Sequence, residues 1–304
     1  HNWDMLERGY TMHHAISQDK QGNILATVSK TSAKIANGKD VRINDFIIMM
    51  DPEKGEILQE WDLVHMLDSA RYGMTDYDLT SDPFAQSASN WAHNNGIVEW
   101  GDDYLATARY QGIFKFNKAG GIEWIISPHG YWRDKYLKLL LNPLHADGTP
   151  ITDPEVIAGT KNCDDFEWPW GCHTAVPLPN GHILYFNNGY GRNFKLDFTD
   201  RKNIYTCGIE YEVDEVNRTV RQVWQYGKER GAAYFTPARS GVQYLEQTGN
   251  RLICPGMSNV LSNGNRGARV TEVDPETQEV VFELELEDAI YQRVYRMSLY
   301  PENQ

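Results

Sequence analysis

The feature that most constrains this chain is a phrase that recurs four times: an alternating apolar strand, a turn opened by Asp or Asn, and a second strand ending in Trp or Phe. It reads FIIMMDPEKGEILQEW from Phe46, GIFKFNKAGGIEW from Gly112, GIEYEVDEVNRTVRQVW from Gly208 and RVTEVDPETQEVVF from Arg269. Alternation on both sides of a turn makes each phrase a β-hairpin. Each is preceded by a second hairpin whose glycine turn opens a short apolar strand: GNILAT from Gly22, GDDYLATAR from Gly101, NGHILYF from Asn180 and GNRLIC from Gly249. Four strands per unit, repeated along a chain, is the pattern of a β-propeller, whose four-stranded antiparallel blades stack around a central channel. The expected fold is all-β: one propeller domain over 1–304, with blades roughly at 12–63, 91–127, 172–226 and 240–286 and a closing strand in 287–304. The connections Val64 to Asn90 and Ile125 to Lys161 are long enough to suggest a functional loop or lid, with a short helix expected in YWRDKYLKLLLNPL from Tyr131.

Charge narrows the partners. The formal net charge of −13 at pH 7 disfavours a nucleic acid or an anionic membrane surface. No apolar run approaches the 18 or so residues of a membrane-spanning helix. A small molecule is the expected ligand. The first residues, His1-Asn2-Trp3-Asp4, carry no secretory leader pattern, so they leave export undecided. Of the four cysteines, Cys163 and Cys172 are separated by eight residues of an aromatic loop, where a local disulfide is one reading and free thiols the other. Cys207 and Cys254 sit in strand-like runs as buried thiols, and the spacing of the four fits no zinc site.

The histidines follow the repeat. His14, His93 and His173 each lie eight residues before the turn glycine of their unit, at Gly22, Gly101 and Gly181. A lone strand histidine is usually structural, but three at one offset out of nine in the chain are expected to share a role. In a propeller the first strand of every blade lines the channel, so three equivalent positions converge near the axis. His13 is excluded by strand alternation, which sends adjacent side chains to opposite faces. His65, His129, His145 and His182 lack the register and are taken as structural or exposed. Folding back at Gly101-Asp102-Asp103 returns the chain to the level of His93 at Arg109, which then flanks that histidine.

Three imidazoles could hold a metal, as catalytic zinc sites do, but a permanent guanidinium beside them repels a cation. It suits an anion with several oxygens, such as sulfate or phosphate. One imidazole can attack the central atom of such a group while the remaining donors stabilise its oxygens. No Walker sequence or dinucleotide fingerprint offers a nucleotide donor a seat.

Several separate stretches resemble the bacterial arylsulfate sulfotransferases: MHHAISQDKQGNILA from Met12, SNWAHNNGIVEWGDDYLATARYQG from Ser89, CHTAVPLPNGHILYFNNG from Cys172, GIEYEVDEVNRTVRQVWQYGKERGAAYFTP from Gly208 and VYRMSLYP from Val294. The resemblance implies transfer of a sulfuryl group from an aryl sulfate to a phenol, in two half-reactions, without a nucleotide sulfate donor. It implies that His173 is the nucleophile and becomes a sulfohistidine, that His14, His93 and Arg109 bind the sulfuryl group, and that Asn95 contributes to substrate binding. It further implies a disulfide before the nucleophile, imitated by Cys163 and Cys172, and a periplasmic location. The family has a six-bladed propeller preceded by an N-terminal β-domain, against four blades counted here. The partners expected are an aryl sulfate donor, a phenol acceptor and, for assembly, a homodimer, with no cofactor and no metal. Trp91, Trp170 and Tyr295 are among the candidates for an aryl-binding wall. Two other classes compete: a metal-dependent propeller hydrolase using the three histidines with Glu99 or Asp102, and a non-catalytic scaffold.

Overall fold

The computed structural model describes residues 3–37, 40–71, 91–195, 199–258 and 260–288, with the backbone alone at 31–37 and 40–44. The described strands form four antiparallel sheets of consecutive strands. The first holds β1 (Tyr10–Gln18), β2 (Ile24–Asn37), β3 (Asp40–Met50) and β4 (Ile57–Asp62). The second holds β5 (Asn94–Trp100), β6 (Asp103–Ala108), β7 (Gly112–Phe116) and β8 (Ile122–Ile126). In the third, β9 (Asn142–Leu144) lies parallel beside β13 (Thr219–Tyr226), which continues the series β10 (His173–Pro177), β11 (Ile183–Asn187) and β12 (Cys207–Asp214). The fourth holds β14 (Gly241–Tyr244), β15 (Arg251–Cys254), β16 (Gly267–Val273) and β17 (Val280–Glu287). The first strands are neighbours in series: β1 packs on β5, β5 on β10, and β10 on β14.

The recurring phrase has a physical cause. In all four sheets its Asp or Asn caps the turn between the third and fourth strands by accepting two backbone N–H groups on one side-chain oxygen. Asp51 takes those of Glu53 and Lys54, Asn117 those of Ala119 and Gly121, Asp214 those of Val216 and Asn217, and Asp274 those of Glu276 and Thr277. Such Asx turns let a side chain do the work of a backbone acceptor.

The closing tryptophan of each of the first three phrases reaches the capped turn of the next sheet. Trp61 Nε1 donates to the Lys118 carbonyl at 3.0 Å, Trp124 Nε1 to Glu215 Oε1 at 2.7 Å, and Trp224 Nε1 lies 2.6 Å from the Gln278 amide oxygen. Trp3 serves the first sheet in the same way through the Pro52 carbonyl at 3.4 Å. An indole with its nitrogen satisfied and its ring buried joins two sheets at once. Phe282 holds the corresponding place in the fourth sheet and is 50% exposed.

Three apolar cores fill the spaces between sheets. Trp61, Trp91, Phe114 and Phe116 lie in the first, Trp124, Phe166, Tyr185 and Tyr211 in the second, and Phe186, Trp224, Tyr234 and Ile253 in the third. Trp91, expected as a wall for an aryl ligand, is instead fully buried among these fillers.

The connection from Ile125 departs from expectation. In the expected patch helix is confined to Asp134–Leu137 and Asn142–Leu144 form the short strand β9, while a second short helix follows at Pro154–Ala158. Leu139 and Leu141 instead exchange backbone hydrogen bonds with Ile125, and Pro143, which lacks an N–H, keeps Asn142 extended. The expected closing strand at 287–304 falls, beyond the end of β17 and Asp288, outside the described residues, as does Tyr295.

Phe114 is fully buried in the first core. Phe114→Ala is expected to lower unfolding free energy by about 3–5 kcal/mol, measured by urea denaturation. Val281→Ala on the exposed outer strand should change it by less than about 0.5 kcal/mol.

Candidate active site

The inner ends of the first three sheets share an irregularity. Register slips between Met12 and Ile16 in β1, between Asn94 and Gly96 in β5, and between His173 and Ala175 in β10. At these bulges His14 has φ 53°, His93 φ 54° and Thr174 φ 47°, in the left-handed region that few non-glycine residues enter. The bulge turns side chains off the regular alternation and toward the meeting line of the sheets. Gly96 lets β5 come close there, because a Cβ at that position would stand 2.3 Å from Thr107 Oγ1 and 3.6 Å from the Thr174 Cα.

The result is a cluster of rings from distant parts of the chain. His14 and His93 have centroids 4.6 Å apart and Nε2 atoms 3.1 Å apart, and the His14 and His173 centroids are separated by 6.2 Å. Arg109 donates its backbone N–H to the His93 carbonyl at 3.0 Å, the relation expected from the hairpin. Its guanidinium is buried, lies 4.6 Å over the Tyr190 ring and donates to the Pro237 carbonyl at 2.8 Å. The structure therefore brings together His14, His93, Arg109 and His173.

His13 departs from the alternation rule. Its Nδ1 lies 3.1 Å from His14 Nδ1, so the bulge places both rings of the pair in one cluster. The acids proposed for a hydrolase are elsewhere: Glu99 accepts the Lys20 backbone N–H, and Asp102 pairs with the Lys20 ammonium at the outer end of the sheet. The carboxylate that does reach the cluster is Asp45, 3.6 Å from His13 Nε2.

Electrostatics keep the rings neutral. Burial lowers the pKa of His173 well below its ordinary value, with Arg109 and then His14 adding to the effect. Burial likewise pushes His93 far down, reinforced by His14 and Arg109. The His14 ring is open to solvent on one side yet walled by protein on the others. Partial desolvation comes first among the causes that lower it to about 4, followed by His13, with Asp45 opposing and Arg109 and Arg239 assisting. Neutral imidazole is the form that can act as a nucleophile.

Two amides orient the nucleophile candidate. Asn188 Oδ1 accepts from His173 Nδ1 at 2.6 Å, while its Nδ2 donates to the carbonyls of Thr236 and Arg239. With the Nδ1 proton held there, the lone pair is on Nε2. Asn95 is buried, donates to the Cys172 carbonyl at 2.8 Å and accepts from Thr107 Oγ1 at 2.7 Å, which fixes the backbone on which His173 stands. Asn188, Arg239, His13 and Asp45 escaped the sequence reading. Only the NNG after β11 hinted at the first, as a polar pair in an otherwise apolar run.

The expected bridge between Cys163 and Cys172 is not formed. Both are free thiols. Cys172 is fully buried against the second core, whereas the Cys163 thiol donates to Asp165 Oδ1 at 3.1 Å on the loop that also pairs with His145.

Beside Arg109 a narrow cleft is lined by Tyr110, Trp170, Tyr190, Phe194 and Arg71. Aromatic faces next to a cationic group that adjoins a neutral nucleophile suit a flat, anionic ester.

The sequence profile of the arylsulfotransferase (ASST) family matches residues 1–296. The chain belongs to that family. It is 29% identical to the arylsulfate sulfotransferase AssT of Escherichia coli O6:H1 over 97% of the chain, and equally so to the AssT of Lelliottia amnigena. The chain spans about half the length of these curated relatives, 54% of each.

A lowered histidine pKa in the folded state means that the unfolded chain takes up protons first as pH falls. The stability from these rings is therefore complete above about pH 6.5, the unfolded value, and is lost progressively toward pH 4 and below. The urea midpoint should fall across that window, and His93→Gln should make the fall shallower than in the wild type.

Proposed function

We propose that the chain is the catalytic part of an arylsulfate sulfotransferase, moving a sulfuryl group from an aryl sulfate to a phenol through a sulfohistidine at His173. The observation that carries the reading is the orientation of His173, a neutral ring held at Nδ1 by Asn188 with Arg109 acting on it. In the first half-reaction Nε2 of His173 forms a bond to sulfur as the bond from sulfur to the phenolic oxygen breaks, and the phenol departs. In the second, the acceptor phenol attacks the same sulfur and frees Nε2. Arg109 stabilises the sulfuryl oxygens, which carry the most charge as both bonds are partly made, and His14 and His93 line the same place. Tyr110 and Tyr190, whose rings flank the Arg109 guanidinium, are the aromatic faces nearest to where the aryl group would lie. The four sheets act as propeller blades, a reading supported by the serial packing of β1, β5, β10 and β14 and by the repeated indole contact to the following turn.

Incubation with 4-nitrophenyl sulfate should release nitrophenol at a rate that rises with added phenol. Mass analysis of the peptide bearing His173 should show an added sulfuryl group when the acceptor is left out. His173→Ala is expected to lose both signals, and Arg109→Gln to slow turnover by about 10²–10³-fold. Nitrophenol release that persists in the His173 variant would overturn the assignment.

A further inference from the structure

Sulfuryl transfer between phenols leaves a proton to be accounted for, and the structure holds a chain of groups behind the three histidines that transfer itself does not use. Asp45 is buried on β3, and its carboxylate is tied at both oxygens. Oδ2 accepts the backbone N–H of Asn94 at 2.9 Å, and Oδ1 accepts from Ser29 Oγ at 2.9 Å. Ser29 Oγ lies 2.9 Å from His13 Nε2, His13 Nδ1 is 3.1 Å from His14 Nδ1, and His14 Nε2 is 3.1 Å from His93 Nε2. Five side chains thus form an unbroken line from a buried carboxylate to the sulfuryl-binding pair.

A carboxylate can only accept, and that one fact sets the direction of every hydrogen in the line. The Ser29 hydroxyl donates to Asp45, so its oxygen accepts from His13 Nε2–H. Neutral His13 then has its lone pair on Nδ1, which accepts from His14 Nδ1–H. His14 in turn accepts at Nε2 from His93 Nε2–H. All hydrogens point toward Asp45, and each ring has one nitrogen able to take a proton and one able to pass it on.

The surrounding charges rank the rings as places for a positive charge. Those acting on His93 are His14, Arg109, His173 and His13, all opposing. On His14, His13 opposes most, Asp45 favours, and Arg109 and Arg239 oppose. His13 stands next to that carboxylate, 3.6 Å away. The carboxylate that favours a positive charge therefore stands at the His13 end of the line.

We propose that His13, Ser29 and Asp45 are the proton reservoir of the site, with His14 and His93 as the gate through which a phenolic proton enters and leaves. The inference rests on the sulfuryl-transfer reading. When an acceptor phenol takes the sulfuryl group, its oxygen forms the bond to sulfur and its proton goes to the His14 and His93 pair. One hop from His14 Nδ1 leaves an imidazolium at His13 beside Asp45. When a donor ester is cleaved, the same proton returns along the line to the departing phenolate. The line therefore carries the extra proton when the donor ester binds and has the neutral arrangement drawn above once the sulfuryl group is on His173; over both half-reactions the proton balance is zero, and neither an oxidant nor a reductant is needed.

The test exploits the leaving group. 4-Nitrophenolate is stable enough to depart without a proton, whereas phenolate from phenyl sulfate gains from one, and general acid catalysis contributes at most about 10²–10⁴-fold. The first half-reaction is followed by rapid quench with each ester in the wild type and in Asp45→Asn, Ser29→Ala and His13→Gln. The reservoir predicts that the ratio of 4-nitrophenyl sulfate to phenyl sulfate rates rises about tenfold or more in Asp45→Asn and His13→Gln. It should rise less in Ser29→Ala, and Asp45→Glu should bring it back toward the wild type. A variant that had merely lost its fold would lose both esters together, and the nitrophenyl rate monitors this directly. An unchanged ratio with sulfuryl transfer intact would overturn the reservoir while leaving the sulfotransferase reading in place. A wild type that transfers sulfuryl from neither ester would overturn both.

Discussion

The site depends on three backbone irregularities at the inner ends of β1, β5 and β10. A regular strand sends alternate side chains to opposite faces, so no two neighbours could serve one centre. The bulges at His14, His93 and Thr174 break that rule, each at a left-handed residue that costs about 1–3 kcal/mol. Such strain persists only where surrounding structure over-determines it. Here the restraint is visible: Asn95 ties β5 to the backbone before His173, Asp45 ties β3 to the N–H of Asn94, and Asn188 ties the ring of His173 to the carbonyls at Thr236 and Arg239. The bonds from Asn95, Asp45 and the Asn188 amide nitrogen each cross from one sheet to another or to a loop before another, so the cluster forms only when the sheets have assembled.

Low dielectric and positive charge then act together. Burial alone disfavours protonated imidazole, and Arg109 adds to this at all three rings. In the proposed reaction the guanidinium that adds to the effect of burial on His173 would also grip the anion, so one group would serve both the nucleophile and the ester.

Much of this was legible in the amino-acid sequence because a repeat converts distance along the chain into position in space. The eight-residue offset from a turn glycine singled out His14, His93 and His173, and the hairpin return put Arg109 beside His93. What the offset could not carry was any contact without a repeat partner. Asn188, Ser29 and Asp45 each stand at positions whose equivalents in other sheets do something else, and Arg239 enters from a loop before β14. Alternation misjudged His13 because a bulge is a local event of one residue, invisible in a pattern of apolar and polar letters. Spacing misjudged the cysteines for a related reason: eight intervening residues fix how far two thiols can be, but not that Cys172 would turn into the core while Cys163 turned to Asp165.

The indole contact between neighbouring sheets is a rule that carries no stop signal. Each sheet offers a capped turn on one side and a ring on the other, and in the fourth sheet that ring is Phe282, flanked by the partly exposed Val280, Val281 and Leu284. Stacked architectures normally end in a polar outer face, which keeps the last layer from recruiting another. Among the described residues, the outer strand of the fourth sheet presents an apolar margin of the kind such a face avoids. In dilute solution its greasy margin would be a place where molecules adhere to one another, and a charged side chain at 282 would blunt it.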